Sequence, residues 1–564
     1  MTRLLCLAAA LGLSATAGAQ GGWPLAPGQT VRDSLAGDVP HAYEVDLDAG
    51  QFVAGEVDQA GVDVVVWVIG PDPGARPLGP FDVLARGPEP FAFEAAAAGT
   101  HRVEVRPFRG AAGRYALSLR SMAPAETAQD RVRRLLTGYD GPDRPGVAVA
   151  AADGGEAAWS LALGQADVEG GTPMTAGTPL RVAGLSHALA SHAVALLAAQ
   201  GALDLDADLR AVLPGLPALG EPVTARDLIL HRSRYWDAGA IATLTGRPAP
   251  TRADQLALLS QQRAPVPSDY PRYISTDYAV MASLVEAVAG RPFEAWTAAN
   301  VFGPLGMADA VIPTTVADVP PSARYGVGES GEMVAVDVGG GGEASLGVPF
   351  ASARDLARWL ASVDTSAYGR VVAEGVPQRR GYTDLYVGGL GVTGYDGRLR
   401  YRRTMGGGGL GASVTYFPER RGGVAVLSNG PAFPTGGRQH QHDLWSAVWQ
   451  IEEATFGDVA DGFGPPPPPP PPPVPRQPTE DQLAPLAGRY VSDDPAAVVV
   501  VEAGPQLTVR PEGDARPRVL ELGREPDGSW SFRGASPFSL LRFDPDGGLV
   551  VVVEGAPISF RRAD

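Results

Sequence analysis

Lysine is missing altogether. All 46 basic residues of the 564-residue chain are arginine, so no mechanism here can use a lysine amine as a base or nucleophile. Cysteine is nearly missing as well. The single one, Cys6, lies in the amino-terminal apolar run, which removes disulfides, a cysteine nucleophile and thiolate metal sites from the rest of the chain. After that run no stretch approaches the roughly 20 apolar residues that a spanning helix needs, so no integral membrane segment is expected once it is removed. Basic charge is in the minority: 63 acidic residues leave a net charge of −17. That balance argues against nucleic acid or an anionic membrane surface as a partner. Histidine is scarce, 7 in all. His440 and His442 stand two residues apart and diverge on a helix, with no carboxylate–histidine pattern beside them. Neither a metal nor a cofactor is expected.

What is present begins with an export signal. Arg3, the apolar run Leu4 to Leu13 and the small-residue site Ala17-Gly18-Ala19 predict a cleaved signal peptide over residues 1–19, and so a secreted or periplasmic protein. Composition then divides the chain. Residues 22–122 carry short alternating strands, among them 41–47, 62–69, 101–105 and 113–119, with Gly/Pro turns between them, which predicts a β-sandwich. Residues 125–458 mix helices with strands. Ser186 to Gln200 reads as a helix closed by Gly201, and Thr276 to Val288 as one closed by Gly290. Strand signals at 146–151 and 423–428 bracket this helical middle and predict an α+β domain whose ends meet. Residues 459–480 form a proline-rich linker. Its tract Pro465 to Pro473 reaches about 28 Å in polyproline II geometry. Residues 481–564 return to short strands and predict a small antiparallel β-barrel or sandwich.

The middle domain carries motifs in an order that resembles the serine β-lactamase and penicillin-binding-protein family. Leu180-Arg-Val-Ala-Gly-Leu-Ser-His187, with the apolar helix behind it, is similar to that family's nucleophile helix. Val223 to Ser233 resembles the segment usually read as LLTHTSG, with His231 at its structural histidine. Tyr273-Ile-Ser275 resembles the tyrosine motif, and Arg402-Arg-Thr-Met-Gly406 covers the third motif. The outer segments resemble, in turn, the bacterial pre-peptidase C-terminal domain, a jelly roll, and the C-terminal β-domain often attached to such hydrolases.

The resemblance implies a Ser-x-x-Lys pair in which the amine takes the hydroxyl proton as the serine attacks a carbonyl. Aligned on Arg181, the serine position holds Gly184 and the lysine position holds His187. Glycine has no nucleophile. Ser186 is about 200° around the helix from Gly184 and is expected to point away from the cleft. Ser191, at i+4 from His187, is within reach of a hydrogen bond to it. In the second motif Tyr273 keeps the phenol, while Ser275 shortens the expected amide to a hydroxyl. In the third, either Arg403 or Thr404 takes the cationic position. Gly406 to Gly409 lacks the spacing and following helix of a phosphate loop.

Three changed motifs together favour a pseudoenzyme, with the cleft retained for a peptide or peptidoglycan-fragment ligand near Gly184, Tyr273 and Arg403. Two alternatives stay open. One is an active serine hydrolase of esterase, peptidase or β-lactamase type that uses Ser186 and His187. The other is a surface or adhesion protein that acts through its outer β-domains.

Overall fold

The computed structural model describes residues 22–563 with interruptions, the longest at 240–250, 266–273, 337–346, 431–442 and 461–482. The predicted export signal, Tyr273, the His440/His442 pair and the nine-proline tract lie outside the described residues. Two compact units divide the chain, Met1–Ala125 and Glu126–Asp564.

In the first unit the alternating pattern becomes two sheets. His41–Leu47, Val64–Ile69 and Gly99–Pro107 belong to a five-stranded sheet. Thr30–Leu35, Phe52–Gln59, Gly87–Glu94 and Gly113–Met122 form a four-stranded one. Every second residue of the first set is buried, as with Tyr43, Val45 and Leu47, and these side chains share one core with Leu35, Val57, Phe93 and Leu117 of the second set. Period-two alternation is the pattern a one-sided sheet requires.

The second unit contains the middle domain, built on a seven-stranded antiparallel sheet. Its strands are Val147–Asp153 (β1), Glu156–Leu163 (β2), Tyr382–Val387 (β3), Leu390–Tyr395 (β4), Arg398–Gly407 (β5), Leu410–Phe417 (β6) and Gly422–Ser428 (β7), in spatial order β2-β1-β7-β6-β5-β4-β3. The first and last strands in sequence, β1 and β7, are neighbours, with Val147 opposite Ser428, so the ends of the domain do meet. Strand β1 is buried on both faces and sorts its side chains by size. Val147 and Val149 pack with helices Ala128–Leu135 (α1) and Asp443–Ala460 (α5), whereas Ala148, Ala150 and Ala152 join the larger core on the other side. That larger core holds helices Ser186–Ala199 (α2), Ser275–Ala289 (α3) and Ala353–Ser362 (α4). Most of α2 is buried around its whole circumference, as expected of a helix with no polar face. Gly201 and Gly290 follow α2 and α3 with φ of 73° and 63°, the left-handed end that glycine accommodates.

Residues 488–563 form a separate sheet in which sequence neighbours pair in turn, except that Arg518–Val519 and Glu521–Arg524 are its two edges, and Gly488–Asp493 also pairs with the last strand, Ala556–Ala563.

One turn positions the site. Gly388 and Gly389 join β3 to β4 with φ of 58° and 84°, the two positive values a two-residue hairpin of this hand demands. All four of the turn's backbone polar groups are engaged. Gly388 N–H donates to Ile229 O (2.7 Å) and Gly389 N–H to His231 Nε2 (3.2 Å), while Tyr368 and Tyr386 hydroxyls donate to the carbonyls of Gly388 (2.7 Å) and Gly389 (2.9 Å). The turn lies against the first turn of α2, where a Cβ on Gly389 would stand 2.4 Å from the Ala188 nitrogen.

The contact sets an expectation for stability. Gly389→Ala should lower the middle domain's stability by about 3 kcal/mol, from left-handed strain plus overpacking. Gly201→Ala has a similar φ but open space around the new Cβ, and should cost about 1 kcal/mol. Urea midpoints of the two variants give the comparison, and equal losses would mean that the turn does not press on the helix.

Candidate functional site

The 3-10 turn Ala183–Leu185 leads into α2. Gly184 is therefore partly exposed just ahead of the helix, and His187 is buried in its first turn. The Ser186 hydroxyl donates back to Ala183 O (2.7 Å), a local bond that a serine at a helix start readily makes. His187 Nε2 lies 2.7 Å from Ile274 O. A carbonyl can only accept, so this nitrogen carries the proton. The Ser191 hydroxyl, which the spacing puts within reach of His187, points at Met281 Sδ (3.6 Å).

Ile274 precedes α3 and offers no side chain to cap it. The cap comes from a distant residue: buried Asp237 accepts from Ser275 N–H (2.6 Å) and from the Ser275 hydroxyl (2.8 Å). A carboxylate there also suits the positive end of the helix. The next two residues are tied to the same loop, with Ala238 N–H donating to Thr276 Oγ1 (2.8 Å) and Ser233 Oγ donating to Asp277 Oδ1 (2.6 Å). The Ser275 hydroxyl is thus committed to Asp237.

Strand parity separates the two candidates for the cationic position. Arg402 and Thr404 lie on the α5 side: Arg402 pairs with Glu452 and stacks on Trp449, and the Thr404 hydroxyl is 3.1 Å from Ser413 Oγ. Arg403 lies on the other side, with its guanidinium carbon 5.4 Å from the centre of the Tyr386 ring. Tyr386 in turn meets His231 edge-on at 4.6 Å, and His231 lies 5.2 Å from His187. His187, His231, Tyr386 and Arg403 thus form one chain of neighbouring side chains, while Thr404 lies on the opposite face of β5.

Sequence reasoning missed Tyr386, Asp237, Asp277 and the Gly388–Gly389 turn. A two-glycine step between alternating segments is a hairpin signal, but nothing local says what the hairpin leans on.

Burial shapes the electrostatics. It pushes the His187 imidazole down to about 4, with the Ile274 carbonyl opposing and the Arg403 charge reinforcing the shift. Burial also holds His231 well below its usual range, helped by His187 and Arg403, and takes His192 to about 4. At neutral pH all three rings are uncharged.

The β-lactamase family model matches residues 132–448, more than half of the chain. The chain belongs to the β-lactamase family. Over 113 residues it is 36% identical to serine beta-lactamase-like protein LACTB, mitochondrial, of Homo sapiens, and equally to that of Mus musculus. The match covers 19% of this chain and 20% of each relative, so the chain spans about a fifth of the length of these curated relatives. The crystal structure of SurE with D-Leu is 21% identical with a TM-score of 0.52, over 77% of this chain and 99% of that one. A second SurE crystal structure gives 20% and 0.50, over 77% and 97%. These likenesses are of fold.

The three neutral imidazoles predict acid sensitivity with a definite direction. A histidine whose folded pKa lies below its unfolded value binds more protons when unfolded, so stability is complete above about pH 6.5 and falls towards pH 4. With folded values about 4, His187 and His192 each withdraw roughly 2 kcal/mol by pH 5. Denaturant titrations of the wild type, His187→Gln and His192→Gln at pH 7.5 and 5 measure this. Each substitution should shrink the pH-dependent loss, and an undiminished loss in both would refute the assignment.

Proposed function

We propose that the chain is an exported pseudoenzyme of the β-lactamase family, whose cleft binds a carboxylate-bearing peptide or cell-envelope fragment without cleaving it. The observation that carries this reading is where the remaining polar groups point. The attacking position is glycine, the neighbouring Ser186 hydroxyl donates to Ala183 O, and the His187 N–H donates to Ile274 O. Acyl transfer needs a hydroxyl within reach of a base, and neither donor is aimed at such a partner. Arg403 supplies positive charge on the cleft side of β5, as a guanidinium that meets a carboxylate through two N–H groups. Beside it, the start of α2 adds the positive end of a helix. On this reading the N-terminal sheets are a jelly-roll accessory domain, and the C-terminal meander closes as a small barrel.

Two measurements test the proposal. A fluorophosphonate probe and a fluorescent penicillin should leave the full chain unlabelled; covalent label on any serine of residues 125–458, Ser186 included, would establish the active-hydrolase alternative instead. Calorimetry against muropeptides and D-amino-acid peptides tests binding. SurE was crystallised with D-Leu, which makes D-leucyl peptides a sensible first set. Affinity should fall about tenfold or more in Arg403→Ala, as expected for loss of a charge-assisted contact worth roughly 1.5–3 kcal/mol. Thr404→Ala should leave it unchanged. Absence of binding across both sets would remove the ligand half of the proposal.

A further inference from the structure

We propose that the floor of this cleft is an acid-released latch, in which His231 holds the Gly388–Gly389 turn against the first turn of α2 only while its imidazole is neutral. The tie works in one direction. Gly389 N–H donates to His231 Nε2 at 3.2 Å, so that nitrogen must present a lone pair and the ring's proton must sit on Nδ1. A second proton would place an N–H against an N–H and turn an attraction into a repulsion. The ring has little freedom to avoid this. It is buried, with the Tyr386 edge at 4.6 Å and the His187 ring at 5.2 Å.

The charged and titratable neighbours come from each element around it. From α2 comes His187, with Tyr278 of α3 behind it at 6.1 Å. Also from α3, the Asp277 carboxylate has Oδ2 3.9 Å from His231 Nδ1 and accepts from Ser233. Tyr386 comes from β3, and Arg403 of β5 stacks on it. Arg403 opposes the added proton and Asp277 favours it. Burial decides against the charged ring near neutrality, so release belongs to the acid side.

His187 next to it is not the latch. Its Nε2 already donates, to Ile274 O, and a proton added at its other nitrogen leaves that bond intact. The turn also keeps three ties after His231 lets go, to Ile229 O and from the Tyr368 and Tyr386 hydroxyls. The event is therefore a local release, not a loss of the fold. Because Gly389 lies directly on the backbone of His187 and Ala188, its departure uncovers the end of α2 beside Gly184.

Hydrogen exchange followed by mass spectrometry on the full chain, at steps from pH 7.5 to 4.5 and corrected for intrinsic exchange rates, tests the latch. Peptides spanning 386–391 and 185–189 should lose protection at least tenfold on the acid side, while α3 peptides over 279–285 keep theirs. His231→Gln offers an amide oxygen that accepts from Gly389 at every pH, and should hold protection level. His187→Gln should keep the wild-type step. It serves as the working comparison if the His231 variant does not fold. The latch is overturned by flat protection in the wild type down to pH 4.5, by loss only together with α3, by an unchanged step in His231→Gln, or by a step abolished in His187→Gln.

Discussion

The hydrogen bond from His187 Nε2 to the Ile274 carbonyl sets the terms for the whole cleft, because it joins the first turn of α2 to the first residue ahead of α3. Both helices are buried in the main core, and each begins without a capping side chain of its own. A helix start carries backbone N–H groups with no partner inside the helix, and burying them unpaired is costly. For α3 the solution is Asp237, which takes the Ser275 N–H and hydroxyl together. Once Asp237 fixes that end and His187 reaches across to it, the two helices can no longer slide independently. The imidazole acts here as a positioning group between elements. Its low basicity follows from the same burial that makes the bond strong.

The second constraint is the parity of β5. Along a strand, successive side chains leave by opposite faces, so a shift of one residue exchanges the two environments completely. On one side Arg402 and Arg400 share the Glu452 carboxylate and flank Trp449 of α5. On the other, Arg403 faces Tyr386 and the histidines. Three arginines within four positions look equivalent in the sequence. They are separated into a buried ion-pair cluster beneath a helix and a guanidinium stacked on Tyr386, and the pairing of Thr404 opposite Ser413 decides which is which.

That contrast marks how far the sequence can be read. Strands such as His41–Leu47 were legible because burial on one face writes a period of two into the residues themselves. The ends of α2 and α3 were legible because Gly201 and Gly290 adopt a backbone conformation other residues resist. The place of Gly184 and His187 at the start of α2 was also legible, from register against Arg181. Destinations across long sequence separations were not. That Ser191 turns to Met281, 90 residues on, and Ser275 to Asp237, 38 residues back, depends on which helix faces arrive side by side. Which face of β5 Arg403 and Thr404 take needed a strand pairing that no local pattern encodes. Arg234 and His231 also take positive φ, 59° and 54°, where a short-range reading expects glycine or asparagine. Both flank Ser233, whose bond to Asp277 holds the loop in that shape.

These bonds bear on how the junction of α2 and α3 keeps its polar groups paired. A buried polar atom left without a partner costs on the order of 1–3 kcal/mol, a sizeable share of the 5–15 kcal/mol that typically separates folded from unfolded chains. Here the hydroxyls of Ser186 and Ser275 and the ring N–H of His187 each have a backbone or carboxylate acceptor. These groups stabilise the junction of α2, α3 and the Asp237 loop. Losing any of these acceptors would loosen the point where the two helices begin.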